Sequence, residues 1–264
     1  LNSLRQQDYP NIKILISDNA STDRTGEICQ HAASQDDRII YKRMNENIGA
    51  AANFRHVADL ADGDYFMWAA GHDEWSPNLV SKSIEILEQN PDAAIAVANS
   101  YWIDENGERQ DRDTDYPDTR DQGVIGRFFT VFWGNMHPLL GVMRTEYLHA
   151  SKGVQSFVGA DLVLISELVL RGVFVCQPDA WWNRRDVRLR ETHSERMKRY
   201  TSAESGQATT MLDRLFPMFR LPFALLETVW MARISVLEKA LLLMALLPLM
   251  PVRYVIGIRQ AGQK

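Results

Sequence analysis

The chain has 264 residues, 45% of them hydrophobic, and a formal net charge of -5. That length suits one large α/β domain, or one domain with an appendage. A pI of about 5.7 argues against bulk nucleic-acid binding. The two distant cysteines, Cys29 and Cys176, suggest neither a disulfide framework nor a zinc site, which makes a reducing cytoplasm the default setting.

In chain order, Leu1 to Gln7 reads as the end of a helix, and Tyr9-Pro10 breaks it. The first residue is not Met and no signal peptide precedes it, so a fragment without its natural start is expected. The stretch IKILISDNASTDRT at 12–25 is an apolar strand running into acids, amides and hydroxyls and then a helix. Open α/β sheets bind ligands at such strand ends. Asp18 and Asn19 would stand at the tip, while Ser21 or Asp23 would cap the helix. A well-made turn without a ligand fits the same residues.

A helix over 24–34, a strand over 38–43 and a small-residue helix over 50–60 follow. Residues 65–70 are apolar on both faces, which predicts a buried parallel strand. A helix is expected over 77–89, begun by Pro77, and a strand over 93–98. Alternating strands and helices predict a parallel α/β sheet. The polar stretch 101–122 predicts a hairpin and a mobile loop. Further elements are expected as a helix at 124–133, strand-like residues at 140–144, a helix over 161–171 ending at Gly172, and a strand at 173–176.

The region 219–258 differs in kind, and residues 240–252 are uncharged and apolar. Pro248 and Pro251 are expected to interrupt them. Thirteen residues are too few to cross a bilayer, which needs about 20. A surface-lying or re-entrant membrane helix is favoured; the alternative is a helical hairpin packed on the domain or on a second subunit.

Four stretches occur in a fixed order: QQDYPNIKILISDNASTDRT at 6–25, NENIGAAANF at 45–54, GDYFMWAAGHDEWSP at 63–77 and GADLVLISELVLRG at 159–172. Together they resemble family-2 glycosyltransferases with the GT-A nucleotide-sugar-binding fold, over Leu1 to about His193. The resemblance implies a mostly parallel α/β sheet flanked by helices, with its first strand missing here. It divides the chain into a transferase domain at 1–200 and a helical, membrane-associated region at 201–264.

The resemblance also implies site roles. Asp18 matches the acid that contacts the donor's base, with Asn19 beside it. Asn47 and Gly49 match a loop lying by the nucleotide. The family's Asp-x-Asp-Asp, which holds a divalent ion on the diphosphate, is Ala70-Gly71-His72-Asp73 here. His72 and Asp73 are the candidate ligands for Mn²⁺ or Mg²⁺, with the diphosphate supplying most of the shell; the other two outcomes are direct contact of His72 with the phosphate and weak metal binding. Asp161 matches the catalytic base, although Ala160 replaces the usual Glu; a helix cap is its other reading. His193, with Arg185 or Arg188 as alternatives, would close over the leaving diphosphate. The same basic run also suits a solvated helix or anionic lipid. Trp133, Trp181 and Trp182 suit either acceptor stacking or core packing.

The implied activity is inverting transfer of a sugar from a UDP-, GDP- or dTDP-sugar to a lipid-linked glycan or surface polysaccharide. The implied location is the inner face of the cytoplasmic membrane, peripherally bound. The alternative is a non-catalytic relative that binds nucleotide sugars or glycans, which the losses at 70, 72 and 160 would favour.

Overall fold

The structure is a computed structural model that describes residues 1–112, 114, 116–185, 211, 216 and 218–261, with side chains up to Arg253. Two sheets form its frame. The smaller pairs β1 (Ile14–Asp18) with β2 (Ile39–Arg43) in parallel, from Ile14 against Ile39 to Asp18 against Arg43. Helix α1 (Asn2–Arg5) precedes it, and α2 (Thr25–Gln35) makes the crossover. Helix α3 (Ala50–Asp59) then leads to β3 (Tyr65–Phe66).

The larger sheet runs β3–β6–β5–β7–β4, with β4 at Glu74–Trp75, β5 at Ala93–Ile103, β6 at Val142–Arg144 and β7 at Val173–Arg185. Its centre, β5 on β7, is parallel, and its other pairings are antiparallel. Helices α4 (Leu79–Gln89), α5 (Val124–Trp133), α6 (Thr145–His149) and α7 (Ala160–Arg171) cover it. The main core lies where α5 and α7 meet β5: Phe128, Phe132, Ile95, Leu164, Leu168 and Phe174 are fully buried.

Three expectations change. Residues 65–70 do not form a buried parallel strand; only Tyr65–Phe66 are strand, and they pair antiparallel with Met143–Arg144. An apolar run reports burial and says nothing of direction. The 101–122 stretch keeps a hairpin contact between Ile103 and Arg109. Its second half, however, packs down, with Thr114, Tyr116 and Thr119 buried. Thr119 explains this: its hydroxyl accepts from the Phe174 amide at 2.7 Å, and its own amide donates to the Phe174 carbonyl at 2.9 Å. Pro248 and Pro251 do not break the last helix either, because α9 (Val236–Ala261) runs through both.

Helices α8 (Arg220–Met231) and α9 form a hairpin on the outside of α7 and α5. Leu221, Leu225, Val229, Leu242 and Leu246 are buried there in the main core. No helix among the described residues is long and apolar enough to cross a membrane. The packed hairpin, the alternative weighed for this region, accounts for its inner face.

Candidate functional site

The carboxyl ends of β1 and β2 gather four of the expected residues. Asp18 ends β1, and Ala20 after it takes a positive φ of 60°. This turns the chain so that the Ser21 amide donates back to Asp18 Oδ1 at 2.8 Å. Asp18 Oδ2 accepts from Tyr41 Oη and from Arg43 Nη1, each at 2.7 Å, and the side chain is closed to solvent. Burial alone would raise this carboxyl. The Ser21 and Tyr41 hydrogen bonds and the Arg43 charge outweigh it and hold the pKa at about 2. Both oxygens of Asp18 thus have protein partners.

Asn19 and Asn47 do face each other. Asn19 Nδ2 donates to Asn47 Oδ1 at 2.8 Å, Asn19 Oδ1 accepts from the Ile48 amide at 2.9 Å, and Asn47 Oδ1 also accepts from the Gly49 amide at 2.9 Å. Gly49 has φ 84°, a conformation that favours glycine, and it opens α3. The sequence distance between these loops is bridged by the parallel register of β1 and β2.

At the far end of the larger sheet, β4 lies on Trp182–Asn183 of β7. This brings Asp73 under that strand. Its Oδ2 accepts from Trp182 Nε1 at 2.9 Å and its Oδ1 from the Arg185 amide at 3.0 Å, leaving the side chain 3% exposed. His72 is half exposed, with Nε2 3.5 Å from Asp73 Oδ1. Glu74 is taken by Arg185 Nη2 at 2.7 Å.

A divalent ion needs oxygen ligands turned toward it. Asp73 is instead turned into the protein, where it fixes Trp182 and the end of β7, so His72 and Asp73 do not fit as a metal pair. Among the described residues, no group of three His, Cys, Asp or Glu side chains is placed to hold an ion.

Arg185 is likewise a staple. Its Nη1 donates to the carbonyls of Asp104 and Glu105, each at 2.9 Å, and its Nε to that of His72 at 3.3 Å. These bonds tie β7, the 72–74 loop and the 104–105 turn together, which leaves the guanidinium committed to the fold. His193 and Arg188 lie outside the described residues.

Trp182 is core, and the Arg109 guanidinium lies over Tyr101 at 3.8 Å and near Trp181 at 5.7 Å. His137 is buried against Ser100 Oγ at 3.0 Å; burial, helped by the Arg184 charge, lowers its pKa to about 3 and keeps it neutral. Arg144 donates to the carbonyls of Leu87 and Ala93 and is structural.

Asp161 stands in the first turn of α7, after Gly159 at φ 90°. A Cβ on Gly159 would lie 2.9 Å from Leu221 of α8, so the turn before Asp161 is pressed against the C-terminal hairpin. Asp161 Oδ1 accepts from the Leu162 amide at 2.9 Å. Burial pushes its carboxyl up from the ordinary range; that bond, its own amide and the charge of Arg253 on α9 oppose the rise. Sequence reasoning missed Arg253, Tyr41 and Arg43. The last two were legible in principle, because β2's register places residues 41 and 43 against β1's end. Nothing in the sequence linked residue 253 to residue 161.

A mixed α/β sheet of this kind has known counterparts. S. aureus TarS in complex with UDP superposes with TM-score 0.64 at 12% identity, covering 93% of this chain and 65% of that one. The mannosyltransferase PcManGT of Pyrobaculum calidifontis, in complex with GDP-Man and Mn²⁺, gives TM-score 0.56 at 16% identity, covering 98% and 79%. At that identity the likeness concerns the fold, which is GT-A. In sequence, glycosyltransferase GlyG of Streptococcus pneumoniae is 31% identical over 102 residues, 38% of this chain; the match spans 33% of GlyG. The family model described as "Glycosyl transferase family 2" matches residues 1–144, more than half of the chain, so the chain belongs to glycosyl transferase family 2.

Proposed function

We propose that the protein transfers a sugar from a nucleotide-diphosphate sugar to a hydroxyl acceptor with inversion, using Asp161 as the base. The carrying observation is the Asp161 carboxyl itself, set on a clamped glycine turn at the start of α7 and raised by burial. A raised carboxylate is a better proton acceptor from the acceptor hydroxyl, and single displacement needs only one such group.

The corner of Asp18, Asn19, Asn47 and Gly49 is our candidate for the nucleotide. Asn19 and Asn47 offer the accessible amides, and Asp18 positions the turn that carries them. His193 remains the proposed cap on the diphosphate. Mn²⁺ accompanies GDP-Man in PcManGT and UDP in GalNAc-T7. Since Asp73 is engaged elsewhere, we assign the exposed His72, and not an ion held by the pair, to the diphosphate in this chain.

The proposed acceptor is a lipid-linked glycan or a surface polysaccharide, and the proposed place of work is the inner face of the cytoplasmic membrane. We retain the division into a transferase domain at 1–200 and a helical, membrane-associated region at 201–264. Support for the last point is the outer face of α8 and α9, where Phe223, Trp230, Met231, Leu237, Met244 and Leu247 are exposed.

The test is turnover of a panel of UDP-, GDP- and dTDP-sugars, native against Asp161→Asn, with and without EDTA. Transfer that falls about 100-fold or more in the variant supports the base; EDTA-resistant turnover supports His72 in place of an ion pair. Intact turnover in the variant overturns the proposal. The losses at 70, 72 and 160 favour one other reading, a non-catalytic binder, which binding of a nucleotide without any turnover would establish.

A further inference from the structure

The acid that the resemblance places against the donor's base is sealed. The side chain of Asp18 is closed to solvent, and its oxygens accept from the Ser21 amide, Tyr41 Oη and Arg43 Nη1. A base cannot reach that carboxylate without displacing those donors. Asn47, by contrast, is exposed, and Asn19 is half-buried. Neither carboxamide can be turned end for end, because each oxygen faces a backbone N–H. Asn19 Oδ1 accepts from the Ile48 amide and Asn47 Oδ1 from the Gly49 amide, both at 2.9 Å. Asn47 Oδ1 also accepts from Asn19 Nδ2 at 2.8 Å, which fills its second lone pair. What is left over among the described residues is lopsided. Asn47 Nδ2 keeps both its hydrogens, Asn19 Nδ2 keeps one, and Asn19 Oδ1 keeps one lone pair.

We propose that this donor-rich pair selects the nucleotide's base, and that the base is a pyrimidine with two ring carbonyls, uracil or thymine. The proposal deepens the reading of this corner as the nucleotide's and rests on it. Such a ring presents a carbonyl oxygen on each side of one N–H. The oxygens accept from the free hydrogens of Asn47 and Asn19, and the N–H donates to the free lone pair of Asn19 Oδ1. Cytosine and adenine carry an amino group where a second acceptor is needed, and the pairing edge of guanine has one carbonyl beside two donors. Each of these sets donor against donor at the carboxamides and leaves polar groups without partners, which costs binding. The pair is also held in place before a ligand arrives. Asn19 follows the end of β1 and Asn47 lies in the loop after β2, two strands in parallel register up to Asp18 against Arg43. Arg43 Nη2 fixes the turn beyond Asn19 by donating to the Ser21 carbonyl at 2.7 Å.

The experiment is calorimetric titration of UDP, dTDP, CDP, ADP and GDP into the full chain, native and Asn47→Asp. The native protein is expected to bind UDP, dTDP or both about tenfold or more tighter than the other three. UDP and dTDP share the recognised edge, and dUDP tells whether the ring methyl or the 2′-hydroxyl decides between them. Asn47→Asp keeps an oxygen for the Gly49 amide and Asn19 Nδ2, but exchanges the two free hydrogens for a carboxylate oxygen. Its charge weakens every diphosphate alike, so the ratio of UDP to CDP affinity is the readout, and it should fall about tenfold. If that variant does not fold, Asn47→Ser takes its place, since its hydroxyl can still accept from the Gly49 amide and the amide hydrogens are gone. A ratio unmoved in the folded variant overturns the assignment to these carboxamides. Equal binding of all the nucleotides, or a preference for CDP, ADP or GDP, overturns the base selection and leaves the nucleotide corner standing. No nucleotide bound at all overturns both together.

Discussion

Asp18 and Asp161 are two aspartates pushed in opposite directions, and their effects on stability have opposite signs. Asp18 titrates at about 2, well below its ordinary value, because hydrogen bonds and Arg43 outweigh burial. Its stabilisation is complete above the unfolded value and is lost as pH falls toward 2. Tyr41→Phe removes one donor and should cost about 1 kcal/mol at pH 7. Melting curves at pH 7 and near pH 2 check this: the gap between variant and native protein should shrink in acid, and a constant gap would mean the bond does not act through the charge. Asp161 is raised, so the folded state keeps its proton to higher pH than the unfolded one, and stability falls as pH climbs through that window. Asp161→Asn should therefore melt higher than the native protein at pH 7 while losing its activity. The advantage should vanish below about pH 4, where the unfolded aspartate is protonated as well. A variant that is less stable at pH 7 would mean that the carboxylate is held by bonds stronger than its burial cost.

Among the elements, what could be read from sequence depended on length and periodicity. Helices α2, α3, α4, α5 and α7 stand within a residue or two of where their apolar spacing placed them. Strand β4 was missed because two residues carry no period. Strand β7 was expected to stop at Cys176 but continues past Pro178 to Arg185. The register shows how: Ala98 pairs with Gln177 and Asn99 with Trp181, so residues 178–180 bulge out and the ladder resumes. That resumption carries Trp182 and Arg185 to Asp73, a contact no local pattern could announce. The junction of α7 with β7 is tight in the same way. A Cβ on Gly172 would lie 2.5 Å from the Asp92 carbonyl and 3.0 Å from the Ala94 amide, although its φ of -153° suits any residue. Gly172→Ala should therefore cost about 1–3 kcal/mol through overpacking. Calorimetry against Gly123→Ala, whose Cβ would meet nothing within 4 Å, checks it. Equal melting temperatures would show that β5 can yield.

At the scale of the molecule, the family and the meeting of residues 18, 19, 47 and 49 were legible, because four motifs kept their order. The wiring between distant parts was not. The tail was the most ambiguous region, since leucines at every helical position fit a core, a membrane surface and a subunit contact alike. The structure divides those leucines by face. Leu225 is 1% exposed and packs into the main core, while Phe223 is 61% exposed and Trp230 66% exposed on the same helix. An apolar groove of Leu226, Trp230, Leu243, Met244 and Leu247 runs along that outer side. Leaving so many large apolar groups in water is unusual for a helix with no outer partner. Arg233 between the two helices, and Lys239 in the first turn of α9, whose Nζ donates to the Trp230 carbonyl at 2.8 Å, suit anionic headgroups. The two faces should then separate in experiment. Leu225→Ala should lose about 3 kcal/mol by opening a cavity and lower the melting temperature by several degrees. Phe223→Ser with Trp230→Ser should leave the melting temperature nearly unchanged yet release the protein from vesicles of phosphatidylglycerol and phosphatidylethanolamine in flotation. If the double variant floats with the vesicles as the native protein does, the outer face is not the membrane contact. If it melts with Leu225→Ala, that face is covered by protein, and the partner is a second chain rather than lipid.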